Sequence, residues 1–102
     1  PFRQILDNVT EAARVRPLVL QSLFLRLAGE PPSRAEIDAY IARLREIRDA
    51  GGQLDRVQVY TVARPPAESW FGPLTPAEVD AIAARVAQEA EIRVEAYYGP
   101  TD

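Results

Sequence analysis

Three polar side chains recur at a fixed interval inside apolar runs: Gln21, Gln58 and Glu95 stand 37 residues apart, each directly after an aliphatic residue, Leu20, Val57 or Val94. Glutamine offers both a donor and an acceptor, so such a set, held at one level, can grip a polar ligand. A buried glutamine is also commonly a satisfied core or strand-edge residue, and a glutamate can sit on a solvated face. Tyr60 adds a flat surface for a planar group, worth about 0.5–1.5 kcal/mol beyond its area. The stretch that follows, Arg64 to Leu74, carries Arg64, Glu68, Ser69, Trp70 and Phe71 on a proline-stiffened loop. Charged and aromatic groups on a long loop suit binding. The plainer alternatives are that Arg64 pairs with Glu68 as a surface salt bridge, and that Trp70 and Phe71 cap the end of the fold.

Composition removes several chemistries. The 102 residues contain no cysteine, histidine or methionine, which excludes disulfides, thiolate or imidazole metal ligands, and Ser-His or Cys-His nucleophilic pairs within this stretch. Most carboxylates fall on helix surfaces, and no pair has a spacing that demands acid–base work. Twelve basic residues, all arginine, against fifteen acidic ones give a net charge of -3, so charge does not indicate a nucleic-acid partner. The hydrophobic fraction of 47% is that of a globular domain. No apolar run in the sequence reaches membrane-spanning length, and no signal peptide is expected. With no start residue and an opening inside a helical pattern, the chain is expected to be the C-terminal piece of a longer cytoplasmic protein, or a cleaved or cloned fragment.

The elements that must position these groups follow from periodicity and caps. Phe2, Ile5, Leu6, Val9 and Ala13 mark one face of a helix over 2–15, which Pro17 ends. The apolar run 18–27 reads as a buried strand, although its length also suits a short helix. After a turn from Gly29 to Pro32, Ser33 and Glu36 form a capping box for a helix over 34–50, with Ile37, Tyr40, Ile41, Leu44 and Ile47 as its stripe and Gly51–Gly52 as its stop. A strand over 56–63 comes next. Thr75 and Glu78 then repeat the capping box, Pro76 takes the first helical position and Leu74 can staple onto Val79, opening a helix over 76–90. A last strand covers 92–98. The segments SRAEIDAYIARL and TPAEVDAIAARV, 42 residues apart, show one strand–helix unit used again.

The order predicts a single α/β domain, a parallel βαβαβ with a leading helix and right-handed crossovers. An open doubly wound sheet and a (β/α) barrel both fit. A polar side chain at one level of one face in each strand favours the barrel, where inward residues of several strands meet in layers. On that reading Leu23, Tyr60, Val62 and Tyr97 lie on a partly uncovered face, so the isolated chain is expected to be marginally stable or to self-associate.

The segment VQVYTVARPPAESWFGPLTPAEVDAIA, preceded by RPLVLQSLFLRLAGEPPS, resembles the C-terminal part of the radical S-adenosylmethionine superfamily, in the branch of iron–sulfur oxidoreductases related to the tRNA wybutosine-synthesis enzymes. The likeness rests on Val57-Gln58, Thr61 and the run from Val62 to Glu68, and extends from Arg16 to about Tyr98; the helices themselves are generic. It implies the C-terminal half of a partial (β/α)6, TIM-like barrel. Such enzymes hold a four-iron cluster through a CxxxCxxC loop after the first strand and cleave S-adenosylmethionine reductively to start radical chemistry. This sequence has no cysteine, so the cluster loop is missing and the isolated chain is expected to be inactive, its partner being the upstream part of the same barrel. By the resemblance Gln21, Ser22, Gln58, Tyr60 and Thr61 line the cofactor and substrate space, with Arg64 at its rim. Two alternatives remain open: a non-catalytic α/β binding or scaffolding module that uses the 64–74 loop, and a different (β/α) barrel enzyme.

Overall fold

Every strand of the main sheet is followed or preceded by a helix that packs on the same side. The computed structural model describes residues 2–61 and 71–98. Within them α1 (Phe2–Val15) leads into β1 (Leu18–Leu23), α2 (Arg34–Asp49) connects β1 to β3 (Leu54–Tyr60), and α3 (Pro76–Glu89) precedes β5 (Val94–Tyr97). The sheet is parallel with the order β1-β3-β5. Two short strands, β2 (Arg26–Leu27) and β4 (Phe71–Gly72), pair antiparallel beyond the C-terminal ends of β1 and β3. The fold is thus α/β with three helices and a three-stranded parallel sheet, of the βαβ type.

One face of the sheet makes the core. Val57 and Val59 of β3 are fully buried against Ile37, Ile41 and Leu44 of α2 and Val79, Ile82 and Val86 of α3, with Leu20, Val94 and Ala96 joining from the flanking strands. A second cluster, Leu6, Ala13 and Ile47 with Val9, Leu18 and Leu54, fastens α1 to α2 and to the start of the sheet. Leu54 reaches that cluster because the β1–β3 register shifts between Leu18 and Val19. The shift lets Leu54 and Val57 face the helices while Arg56 faces away, a reversal that a bulge permits and simple alternation forbids.

Both helices that cross between strands begin alike. The Ser33 and Thr75 side chains accept from the backbone N–H of Glu36 and Glu78, and each glutamate reaches back to its cap residue. Leu74 and Val79, before and after the second cap, are both buried in the core. At its end α2 closes through Gly51, whose φ of 91° is in the left-handed region, with Gly51 N–H bonded to Arg48 O and Gly52 N–H to Ile47 O. Gly52 has a further constraint: a Cβ there would lie 2.6 Å from Ile47 Cγ2 and 2.8 Å from Ile47 O. Arginines then tie the layer together. Arg45 and Arg48 of α2 donate to the carbonyls of Glu89 and Ala90 at the end of α3, where the helix dipole favours a cation. Arg85 of α3 bridges back to Asp38 of α2 at 2.6 Å.

The apolar run 18–27 is two strands and a corner, not one strand. The ladder continues to the Phe24 N–H, which bonds Tyr60 O, and the Phe24 ring packs edge-on against Tyr40 with centroids 5.2 Å apart. The chain then leaves the sheet and reverses at Ala28-Gly29, both at positive φ, with Leu27 and Glu30 exchanging backbone hydrogen bonds. Positive φ at both central residues is the requirement of a type I′ turn, one of the two favoured two-residue hairpin turns. The second strand begins at Leu54, two residues before its expected start, and its expected end at 62–63 lies outside the described residues; the last strand occupies 94–97 of the expected 92–98. The helices match their expected spans to within one residue at each end.

Candidate functional site

The other face of the sheet carries no helix among the described residues, and its side chains are bonded to one another. Strand register sets Gln21 opposite Gln58 and Gln58 opposite Glu95, so the 37-residue interval becomes one row across all three strands. Gln21 Nε2 donates to Gln58 Oε1 at 3.2 Å, and Gln58 Nε2 donates to Glu95 Oε1 at 3.0 Å. Arg56, two residues earlier on β3 and on the same face, donates through Nε to the same carboxylate oxygen at 2.9 Å and pairs with Asp55 at 2.5 Å. The next row is Leu23, Tyr60 and Tyr97. The Tyr60 and Tyr97 rings stack with centroids 4.9 Å apart and an interplanar angle of 15°. Their hydroxyls turn back to the polar row, Tyr60 donating to Gln58 Oε1 at 3.1 Å and Tyr97 to Glu95 Oε1 at 3.3 Å.

Gln58 is the hub. It is 9% exposed although no helix covers it, because its neighbours close over it. Its oxygen accepts from Gln21 and Tyr60; its nitrogen donates to Glu95 and faces the Tyr97 hydroxyl at 3.4 Å. All its hydrogen-bonding capacity is met, as burial of an amide requires. The Gln58 amide first, then the Arg56 guanidinium and the Tyr97 hydroxyl, hold the Glu95 carboxyl below the usual carboxylate range against the opposing effect of burial. Burial, followed by the charge of Glu95, raises Tyr97, so the phenol stays protonated as a donor. Outside this network the face is apolar and open: Leu23 is 59% and Tyr97 40% exposed.

Of the residues expected to line a binding space, Gln21, Gln58 and Tyr60 share this face. Ser22 and Thr61 do not. Ser22 points to the helix side, where its hydroxyl meets that of Tyr40; burial raises the Tyr40 phenol, and that hydrogen bond offsets the rise in part. The Thr61 oxygen accepts from the Leu74 N–H at 2.8 Å and so fixes the approach to α3. Arg64, with the loop 64–70, lies outside the described residues. Glu95 and Tyr97 were legible as part of the polar level and the uncovered face, but not as anchors. Arg56 carried a signal too, since it precedes Gln58 by two residues on a strand.

Around the C-terminal strand ends the loops are clasped. Arg26 of β2 holds the Glu78 carboxylate through both oxygens, while β2 pairs with β4. Beside β1 a groove of about 560 Å³ is lined by Leu23, Phe24, Leu27, Pro32 and Tyr40 among others. The described residues contain no cluster of His, Cys, Asp and Glu able to hold a metal ion, and no helix long and apolar enough to cross a membrane. Comparison with protein-family models, with curated proteins and with solved structures found no match.

Proposed function

We propose that this chain is the C-terminal arc of a (β/α) barrel of the radical S-adenosylmethionine type, supplying lining strands to a site whose cluster is held elsewhere. The observation that carries the reading is the in-register row Gln21–Gln58–Glu95 on the helix-free face, with α1, α2 and α3 gathered on the opposite one. A parallel sheet needs both faces covered. An apolar second face would call for a second helix layer, whereas a bonded polar row suits a lumen that closes on other strands and a ligand. The resemblance of the segment from Val57 to Glu68 supplies the chemical class.

The donor set fits only part of that chemistry. With no cysteine in the chain, no residue here is suited to ligate an iron–sulfur cluster, and no step involving one is assigned to it. S-adenosylmethionine, when bound, supplies the radical initiation that defines the superfamily. The residues present fit a share of its binding: Gln21 offers a polar edge, and the outer face of the Tyr60–Tyr97 stack offers a flat apolar surface. The work of this chain is to orient and to exclude water, with Gln58 and Glu95 holding Gln21 and the tyrosines in place.

The complete coding sequence tests this directly. It is expected to encode a CxxxCxxC motif upstream of Pro1; its absence would sink the radical assignment. A second reading, a non-catalytic module presenting the 64–74 loop to a partner protein, draws support from the clasp of β2 on β4 and of Arg26 on Glu78, which fixes the end of that loop. Deleting 65–70 would abolish partner capture on that reading.

A further inference from the structure

The two edges of the sheet are unlike. β5 is four residues long and carries a charge, Glu95, and both properties blunt an edge against pairing. β1 is six residues long, LVLQSL, with no charge and no proline, and among the described residues it pairs with β3 alone. The Leu18 N–H bonds Gln53 O and the Phe24 N–H bonds Tyr60 O, so the even-numbered residues of β1 turn their backbone groups to β3. The N–H and C=O groups of Val19, Gln21 and Leu23 therefore point off the edge, where no described residue meets them.

This edge is complementary to itself. Antiparallel pairing about a two-fold axis at Gln21 sets Gln21 opposite Gln21 and Val19 opposite Leu23, and closes about six backbone hydrogen bonds. Gln21 donates one side-chain N–H to Gln58, which leaves its other N–H and its Oε1 for the facing glutamine. The helix layer agrees. α1 covers only the start of β1 and the end of α2, packing on Leu18 and Ile47 and bonding Ala50 O through Arg14. The apolar groove lies at the opposite end of β1, beside Phe24, Ala39 and Tyr40. An antiparallel partner brings its own α1 to that end, with Ile5 and Val15 exposed on it.

We propose that the partner of the β1 edge is a second copy of this chain, paired antiparallel about Gln21, with α1 of each copy seated on the groove of the other. The contact is the same patch on both copies, so it uses up both β1 edges and leaves the blunt β5 edges outermost. The assembly stops at two. The helix-free face stays open, since strands are added beside it and not over it. The inference concerns the edge and not the lining of that face, so it does not rest on the barrel reading; an upstream strand in a longer product would compete with the second copy for the same edge.

Sedimentation equilibrium of the 102-residue chain tests the dimer, with a mass of twice 11.3 kDa expected to emerge as the concentration rises. Val19→Lys/Leu23→Lys sets like charges opposite one another on both sides of the axis and should return the single-chain mass. Val19→Lys/Leu23→Glu sets unlike charges there and should restore the dimer. Because the chain has no cysteine, a single Gln21→Cys meets only its own copy across the axis, at a Cα separation of about 5.5 Å, and should cross-link on oxidation. Leu23→Cys, with its mate about 14 Å away along the strands, should not. The cross-links report the interface whether or not the lysine variant folds. A single-chain mass at every concentration, a dimer that survives the paired lysines, or equal cross-linking at the two positions would overturn the proposal. A single-chain mass would leave the barrel reading standing, whereas a gene without CxxxCxxC would end the radical assignment without changing the dimer.

Discussion

The two faces of the sheet are built from the same strands and stabilised by different physics. On the helix side Leu20, Val57, Val59, Val94 and Ala96 pack into a dry layer between sheet and helices, where shape and area decide. On the other side Gln21, Arg56, Gln58 and Glu95 form a chain of hydrogen bonds that ends in an ion pair, open at its edges. Burying polar groups is unfavourable unless each is paired, and here the pairing is nearly complete at the centre and incomplete at the ends. The contrast separates the part of the domain that holds the fold from the face that no helix covers among the described residues.

The comparison breaks most sharply under truncation. Leu44→Ala on the helix side, at a position 2% exposed, should cost about 2–5 kcal/mol, whereas Gln58→Leu should cost about 1 kcal/mol, since it removes hydrogen bonds and keeps the volume. Urea unfolding of the two variants measures both. Equal losses would mean that the polar row is as much a part of the core as the helix layer.

A smaller effect distinguishes the faces by pH. Glu95 is lowered by Gln58 and then Arg56, Glu78 by the Thr75 backbone and then Arg26, Glu46 by Arg3 and Glu89 by Arg85, all from an ordinary value of 4.5. A carboxylate whose pKa is lower in the folded state contributes fully above about pH 4.5 and loses that contribution as the pH falls through its lowered value. Stability should therefore be level from neutrality to about pH 4.5 and decline below it. Of these four only Glu95 lies on the open face, so Glu95→Gln should remove one part of the decline and leave the rest, as thermal melts between neutral and acid pH would show. An unchanged acid limb would mean that Glu95 does not hold its proton-free state through the row.

Much of this was readable in the residues. The two capping boxes, the glycine stop and the aliphatic stripes define α2 and α3 because caps and periodicity are local properties, and the 37-residue interval placed Gln21, Gln58 and Glu95 at one level because parallel strands repeat in register. What was not readable depends on contacts far apart in the chain. The run 18–27 looked continuous because it is mostly apolar; its break is dictated by the hairpin at Ala28-Gly29 and by pairing with Phe71–Gly72, Leu27 meeting Phe71 44 residues further along the chain. Ser22 and Thr61 sit beside Gln21 and Tyr60 in sequence, and alternation turns them to the opposite face. Arg56 looked like a strand end because the bulge beside Leu54 is invisible to pattern.

The central claim is that the helix-free face is an interior surface in the working protein. Hydroxyl-radical footprinting of Leu23, Tyr60 and Tyr97, read by mass spectrometry in the 102-residue chain and in the complete product of the gene, tests it most directly. The account predicts that these side chains react readily in the short chain, as the exposure of Leu23 and Tyr97 requires, and become protected severalfold in the complete protein. Equal reactivity in the two forms would contradict it.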